Sequence, residues 1–194
     1  MLKIGLTGNI GSGKSIAASI FEILGIPVYH ADEKAKNILN KQDVIEKIKI
    51  LFGAGILDKT GKPDRKKIAG IVFNNNEKLT SLNKIIHPAV IADFEEWVKQ
   101  ESSFHYIIME SAILFETGYS EMFDSIIVIA APENIRIERV IKRDQSSDED
   151  VKKRIQNQML EEMKIKKADF VINNDGSHLM IPQVLKLHQK FLSK

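Results

Sequence analysis

With 194 residues, 43% hydrophobic and 28% charged, the chain has an ordinary globular composition and can bury a sizeable core in one domain or in a core with insertions. A formal charge of +2 gives no general affinity for nucleic acid or anionic membranes, and the absence of cysteine excludes disulfides and cysteine-based zinc sites. No apolar run approaches membrane-spanning length and no signal-peptide core precedes the first motif, so a cytoplasmic protein is expected, without membrane or nucleic-acid partners.

Leu2, Ile4 and Leu6 mark an apolar strand at the start of the chain. Directly behind it, Gly8-Asn9-Ile10-Gly11-Ser12-Gly13-Lys14-Ser15 fits G-x-x-x-x-G-K-[ST] at every position. Ile16, Ile20, Ile23 and Leu24 then recur at helical spacing. Strand, glycine-rich turn and helix are the context that this phosphate-binding motif requires. Gly8, Gly11 and Gly13 permit φ values that residues with a side chain resist. The resulting curl aims successive N–H groups inward and forms an anion nest at the positive end of the helix. Lys14 can lay its ammonium along the β- and γ-phosphates, while Ser15 offers its hydroxyl to Mg²⁺. Ile16 contributes only its backbone N–H. These residues point to a nucleoside triphosphate and leave the reaction open.

Gly25 stops the helix, and Ile26 to Tyr29 form a short second strand. Tyr106 to Met109, Ile126 to Ile129 and Phe170 to Ile172 follow as a third, fourth and fifth. Strands separated by helices imply an α/β fold whose parallel sheet is covered on both faces. In such sheets ligands sit at the carboxyl ends of the strands, which here are Thr7, His30 to Asp32, Glu110, Ala130 to Pro132 and Asn173 to Asn174. Residues 33–100 break the alternation with helical patterns split by a turn-rich patch from Gly53 to Asp64. That is too long for a crossover and reads as an inserted helical subdomain. Residues 133–165 are helical, charged and thin in core residues, as a lid over a nucleotide would be. The core is then 1–32, 101–132 and 166–194.

Two patterns compete with this reading. Asn40-Lys41-Gln42-Asp43 spells the guanine-reading N-K-x-D of GTPases, and Asp58-Lys59-Thr60-Gly61 spells D-x-x-G. A GTP switch needs D-x-x-G after a strand and ahead of N-K-x-D. Here the order is reversed, Asn40 follows a helical run, and Asp58 lies in a polar loop. A helix-end turn and a surface turn account for both.

Phosphoryl transfer asks for an oriented acceptor, neutralised phosphate charge and excluded water. Asp32, ending the second strand, is placed to hydrogen-bond an acceptor hydroxyl and take its proton late, or to cap the helix over Glu33 to Leu39. Arg139 and Arg143 lie four apart on one helix face, where a closing lid brings both guanidinium groups onto the transferring phosphate; Arg136 is positioned to join them. Glu110 stands where an acidic residue would hold a Mg²⁺-bound water. Glu116 is a candidate for the acceptor pocket, Arg65 for an acceptor phosphate contact, and His87, ahead of a helix-interrupting Pro88, for a substrate contact or a packed imidazole.

Taken in order, these stretches resemble the dephospho-CoA kinase family of P-loop kinases. The resemblance rests on GLTGNIGSGKS at 5–15, HAD at 30–32, Phe52-Gly53, Asp64-Arg65, Val72-Phe73, LNKIIHP at 82–88, ILFE at 113–116, Arg139 and Arg143, QM at 158–159 and ADFVINNDGS at 168–177. It implies a P-loop NTPase fold, a three-layer α/β/α arrangement around a five-stranded parallel sheet with a CoA-binding insertion and a helical lid. It also implies transfer of the ATP γ-phosphate to the ribose 3′-hydroxyl of dephospho-CoA with Mg²⁺, by a monomer or weak homo-oligomer. Asp32 matches the catalytic aspartate, Lys14 and the two arginines stabilise the phosphate, Thr7 and Leu114 join the acceptor side, and Asn174 passes the adenine. Another nucleoside or metabolite kinase is the alternative. The chain departs from the pattern at Asn9 for Gly, Ile16 for Thr, His30 for the first Asp of D-A-D, and Ala112-Ile113 for Pro-Leu.

Overall fold

The computed structural model describes residues 1–72 and 75–193, so Phe73 of the Val72-Phe73 pair lies outside the described residues. The sheet consists of β1 (Leu2–Thr7), β2 (Val28–His30), β3 (Tyr106–Glu110), β4 (Ser125–Ala130) and β5 (Phe170–Asn173), in the order β2-β3-β1-β4-β5. Every pairing is parallel. β3 and β4 are buried at every position, as strands covered on both faces must be, which is why they read as unbroken Ile, Val and Met runs. The register places Leu6 and His30 opposite Glu110, and Ala130 opposite Asn173, so the carboxyl ends finish together. The second strand begins at Val28 rather than Ile26; Pro27 lacks an N–H but its carbonyl accepts from Ile108 at 3.0 Å.

The glycine-rich turn leads into α1 (Lys14–Ile23). The helix is as expected but its buried face is not. Ile16 and Ile23 are 61% and 84% exposed, while Ala17, Ala18 and Phe21 are sealed against the sheet. The turn sets the rotational phase of the helix, and two alanines let it lie close to the strands. Phe21 meets Tyr106 edge-on at 6.4 Å. The same sheet face is closed by Val184, Leu187 and Phe191 of α9 (Met180–Leu192). On the other face Gly5 is covered by Leu114 and Phe123.

Met1–His30 with Glu101–Lys194 forms one compact unit and Ala31–Gln100 a second. The second contains α2 (Ala31–Ile38), α3 (Gln42–Phe52), α4 (Arg65–Val72) and α5 (Asn76–Gln100). Asp32 lies inside the first turn of α2 and is not its N-cap. His87-Pro88 does not interrupt α5: Pro88 forfeits one backbone bond, but Ile86, Val90 and Phe94, four apart and buried, hold the helix through it. Asp58 sits in a tight turn where its carboxylate accepts from the N–H groups of Thr60 and Lys62, between Leu57 and Pro63, which pair as an isolated bridge. Asn40 ends a helical segment. Neither follows a strand, so the guanine-reading pattern has no structural counterpart among the described residues.

The first unit also carries α6 (Glu133–Asp144), α7 (Asp148–Gln156) and α8 (Glu161–Lys167). No helix among the described residues is long and apolar enough to cross a membrane.

Candidate active site

Gly11 and Gly13 hold φ of 80° and 100°, the left-handed values that the curled loop demands. The Ser12 N–H donates to the Asn9 carbonyl at 3.0 Å and closes the first bend. Lys14 opens α1 and is only 8% exposed. The cavity here has a volume of about 390 Å³ and is lined by Gly11, Gly13, Lys14, Ser15 and Ile16, with Arg139, Val140 and Arg143 of α6 opposite. Gly8, Asn9, Ile10 and Ser12 complete the loop but do not line this cavity. Among the described residues, the buried side-chain oxygens without hydrogen-bond partners are Thr7 Oγ1, Asn9 Oδ1 and Ser12 Oγ, all in β1 and the loop.

The three lid arginines take different positions. Arg139 is already on the loop: its guanidinium donates to Gly11 O at 3.4 Å and to Asn174 O at 3.1 Å. Arg143 lines the cavity while paired with Asp144 at 2.7 Å, and that pairing holds the guanidinium pKa above its ordinary value. Arg136 does not join them. It is 3% exposed and donates through Nε to Ala131 O at 2.9 Å, with Glu133 and Glu161 at 3.6 and 3.8 Å. Its backbone packs directly on Gly11, where a Cβ would meet Arg136 O at 2.4 Å. The first turn of α6 is therefore docked on the loop by a buried arginine.

Asn174 also differs from expectation. Its Nδ2 donates to Ser12 O at 2.7 Å, so its amide holds the loop rather than standing free to read a base. Leu114 is 2% exposed, packed against Gly5 as core and not as a pocket wall. Thr7 is fully buried. Glu116 accepts from Met159 N at 2.8 Å and pairs with Lys164 at 2.8 Å, so its carboxylate serves the α7–α8 junction.

Glu110 is 6% exposed, with its Oε2 3.3 Å from His30 Nδ1; His30 Nε2 lies 3.0 Å from Glu22 Oε1. Burial works against charge on His30, but the hydrogen bonds and negative charge of Glu22 and Glu110 outweigh it and hold the imidazole above its ordinary 6.5. In the second unit, Arg65 is exposed and donates to Lys36 O at 2.6 Å, and Asp64 caps α4 by accepting from Lys66 N and Lys67 N. His87 is half-buried, which pushes its pKa below 6.5.

Lys164 is a buried anchor that the sequence does not reveal. It is fully buried and donates to Ala112 O at 2.7 Å, yet nothing distinguishes it from Lys166 and Lys167 in a charged run. Gln158 is likewise visible in sequence only as part of a pattern, and its side-chain carbonyl accepts from Ile10 N at 2.9 Å.

Among the described residues no cluster of three or more His, Cys, Asp or Glu could hold a metal alone. Ser15 and Glu110 offer oxygen donors only. That set suits a hard ion which keeps water and shares phosphate oxygens, as Mg²⁺ does.

A triphosphate-binding turn on a parallel sheet, with arginines of a later helix brought to its mouth, defines a P-loop phosphotransferase of the kinase type. The family model described as dephospho-CoA kinase matches residues 2–179. The dephospho-CoA kinase of Bacteroides fragilis is 40% identical over 187 residues, covering 96% of this chain and 91% of that protein. A Thermus thermophilus structure superposes with a TM-score of 0.87 at 34% identity, covering 98% of this chain and 97% of its own. The Campylobacter jejuni dephospho-CoA kinase does so with a TM-score of 0.71 at 33% identity, covering 97% and 96%. The chain belongs to the dephospho-CoA kinase family and is an ATP-dependent phosphotransferase.

Proposed function

We propose that the chain transfers the ATP γ-phosphate to the ribose 3′-hydroxyl of dephospho-CoA in the cytoplasm, as a monomer or weak homo-oligomer without nucleic-acid partners. One observation carries the chemistry: the cavity that joins Lys14 and Ser15 to Arg139 and Arg143. The loop amides and Lys14 hold the β- and γ-phosphates, and Arg139 and Arg143 neutralise charge that develops on the transferring group. An apolar cleft lined by Ile16, Ile20 and residues 179–182 adjoins the cavity through Ile16 and takes the base. This assigns to exposed Leu179 and Ile181 the adenine contact first expected of Asn174.

Asp32 accepts a hydrogen bond from the acceptor hydroxyl and receives its proton as the P–O bond forms; an ordinary carboxylate is too weak a base to act earlier. Arg65 and His87 belong to the acceptor side, carried by the insertion 33–100. Residues 133–165 act as the lid, packed on the loop at the first turn of α6 and at the α7–α8 turn, with Arg143 at the cavity. Mg²⁺, when bound, would offset phosphate charge, and Ser15 and Glu110 are the residues that would hold it.

Transfer of labelled phosphate from ATP to a panel of alcohols tests the reading. Dephospho-CoA should be phosphorylated far faster than nucleosides, shikimate or pantetheine, with the product labelled at the 3′ position. Equal rates across the panel would overturn the substrate assignment and leave only the kinase class.

A further inference from the structure

The turn between α7 and α8 is tied to the phosphate-binding loop by two bonds, both donated by the loop. Ile10 N donates to Gln158 Oε1 at 2.9 Å, and Asn9 Nδ2 donates to Met159 O at 3.1 Å. The turn is anchored from behind, because Met159 N donates to Glu116, and Glu116 is held by the buried Lys164. Asn174 grips the opposite limb of the loop at Ser12 O.

We propose that Gln158 and Asn9 are positioning residues that pre-shape the nest for the triphosphate. The inference rests on the reading of the loop as the ATP site. An N–H left without an acceptor in this half-buried turn would seek the nearest oxygen and alter the curl, so its partner sets where the neighbouring amides aim. The choice of amide over carboxylate follows from electrostatics. A neutral carbonyl satisfies Ile10 N–H while leaving the positive character of the nest intact, whereas a carboxylate at the same place would oppose the phosphate charge.

Four proteins test it: the parent chain, Gln158→Met, which keeps volume but removes the acceptor, Gln158→Glu, which keeps the acceptor and adds charge, and Asn9→Ala, which removes the second bond. ATP affinity is measured by titration calorimetry at low and high salt, with KM for each substrate, kcat and thermal melting alongside. In Gln158→Met, Kd and KM for ATP should rise about tenfold at either salt concentration, with KM for dephospho-CoA and the melting temperature near those of the parent. In Gln158→Glu, ATP should also weaken, but the defect should shrink as salt rises, because screening weakens a charge–charge repulsion and not a missing hydrogen bond. Asn9→Ala should weaken ATP in the same direction as Gln158→Met. The inference fails if Gln158→Met binds ATP within twofold of the parent, or if both substrates and the melting temperature deteriorate together, the mark of a merely structural contact. Failure of the parent chain itself to bind ATP would instead sink the reading of the loop.

Discussion

Replacing Gly11 by alanine tests whether α6 is docked on the phosphate-binding loop. Two separable costs arise. The left-handed φ of 80° costs an alanine about 1–2 kcal/mol. The added Cβ would lie 2.4 Å from Arg136 O and 3.0 Å from its C and Cα, which are backbone atoms that no rotamer change can move. Forced overpacking of this kind costs about 1–3 kcal/mol. Together these make roughly 2–5 kcal/mol, or about 4–20 °C in melting temperature for a chain of this length. Gly25→Ala supplies the control, since Gly25 has φ of 82° but nothing within 4 Å of the added Cβ. It should pay only for backbone strain and melt about 2–8 °C below the parent. Because Arg136 is fastened through Ala131 and two glutamates, relief in Gly11→Ala must come from the loop, and KM for ATP should rise while Gly25→Ala leaves it alone. Calorimetric melts and steady-state kinetics on both variants decide the matter. Equal destabilisation of the two, with KM for ATP unchanged in both, would refute the docking of α6.

The remaining expectations concern chemistry and pH. Lys14→Ala should lower kcat/KM by roughly 10²–10³ or more with the circular dichroism spectrum retained, and a smaller loss would remove Lys14 from charge stabilisation. Asp32→Asn should cut kcat by about 10²–10⁴ with ATP affinity nearly intact; near-parental turnover would exclude it from proton transfer. Arg143→Ala should reduce kcat more than it raises KM for ATP, since its contact strengthens as charge develops, and a pure KM effect would show a ground-state role. His87 is kept below its ordinary 6.5 by burial, so below that pH the unfolded chain binds more protons than the folded one. Stability should therefore fall as pH drops from 6.5 towards the folded value. His87→Gln should flatten that slope in denaturant titrations at pH 7.5 and 5.5, and an unchanged slope would show that burial at this site is not the cause.

What the sequence made legible was whatever depends on local pattern. The glycine-rich turn is a contiguous code, and buried β3 and β4 announce themselves by unbroken apolar runs, so the parallel sheet could be read directly. The face of α1 could not. Ile16 and Ile23 fit a helical stripe, but the neighbouring turn fixes the helix rotation and the sheet selects Ala17, Ala18 and Phe21. Pro88 misled for a similar reason, because tertiary packing of Ile86, Val90 and Phe94 outweighs one lost backbone bond. The role of Arg136 was hidden because position on a helix gives spacing but not which neighbours supply acceptors. Bonds that span most of the chain, such as Ile10 to Gln158 and Asn174 to Ser12, have no local signature at all.

The departures from the family pattern fall where the structure can absorb them. At Ala112 it is the backbone carbonyl that receives Lys164, so the side chain there is free to vary. Ile16 offers its amide to the loop and its side chain to an apolar cleft, where a hydroxyl is not required. At position 30 the surroundings favour the change. Glu22 and Glu110 approach the side chain from two directions, and an aspartate there would add a third negative charge beside a carboxylate that is 6% exposed. Crowded carboxylates raise one another's pKa and tend to protonate. A histidine instead sets one ring nitrogen 3.3 Å from Glu110 Oε2 and the other 3.0 Å from Glu22 Oε1, and adds no negative charge.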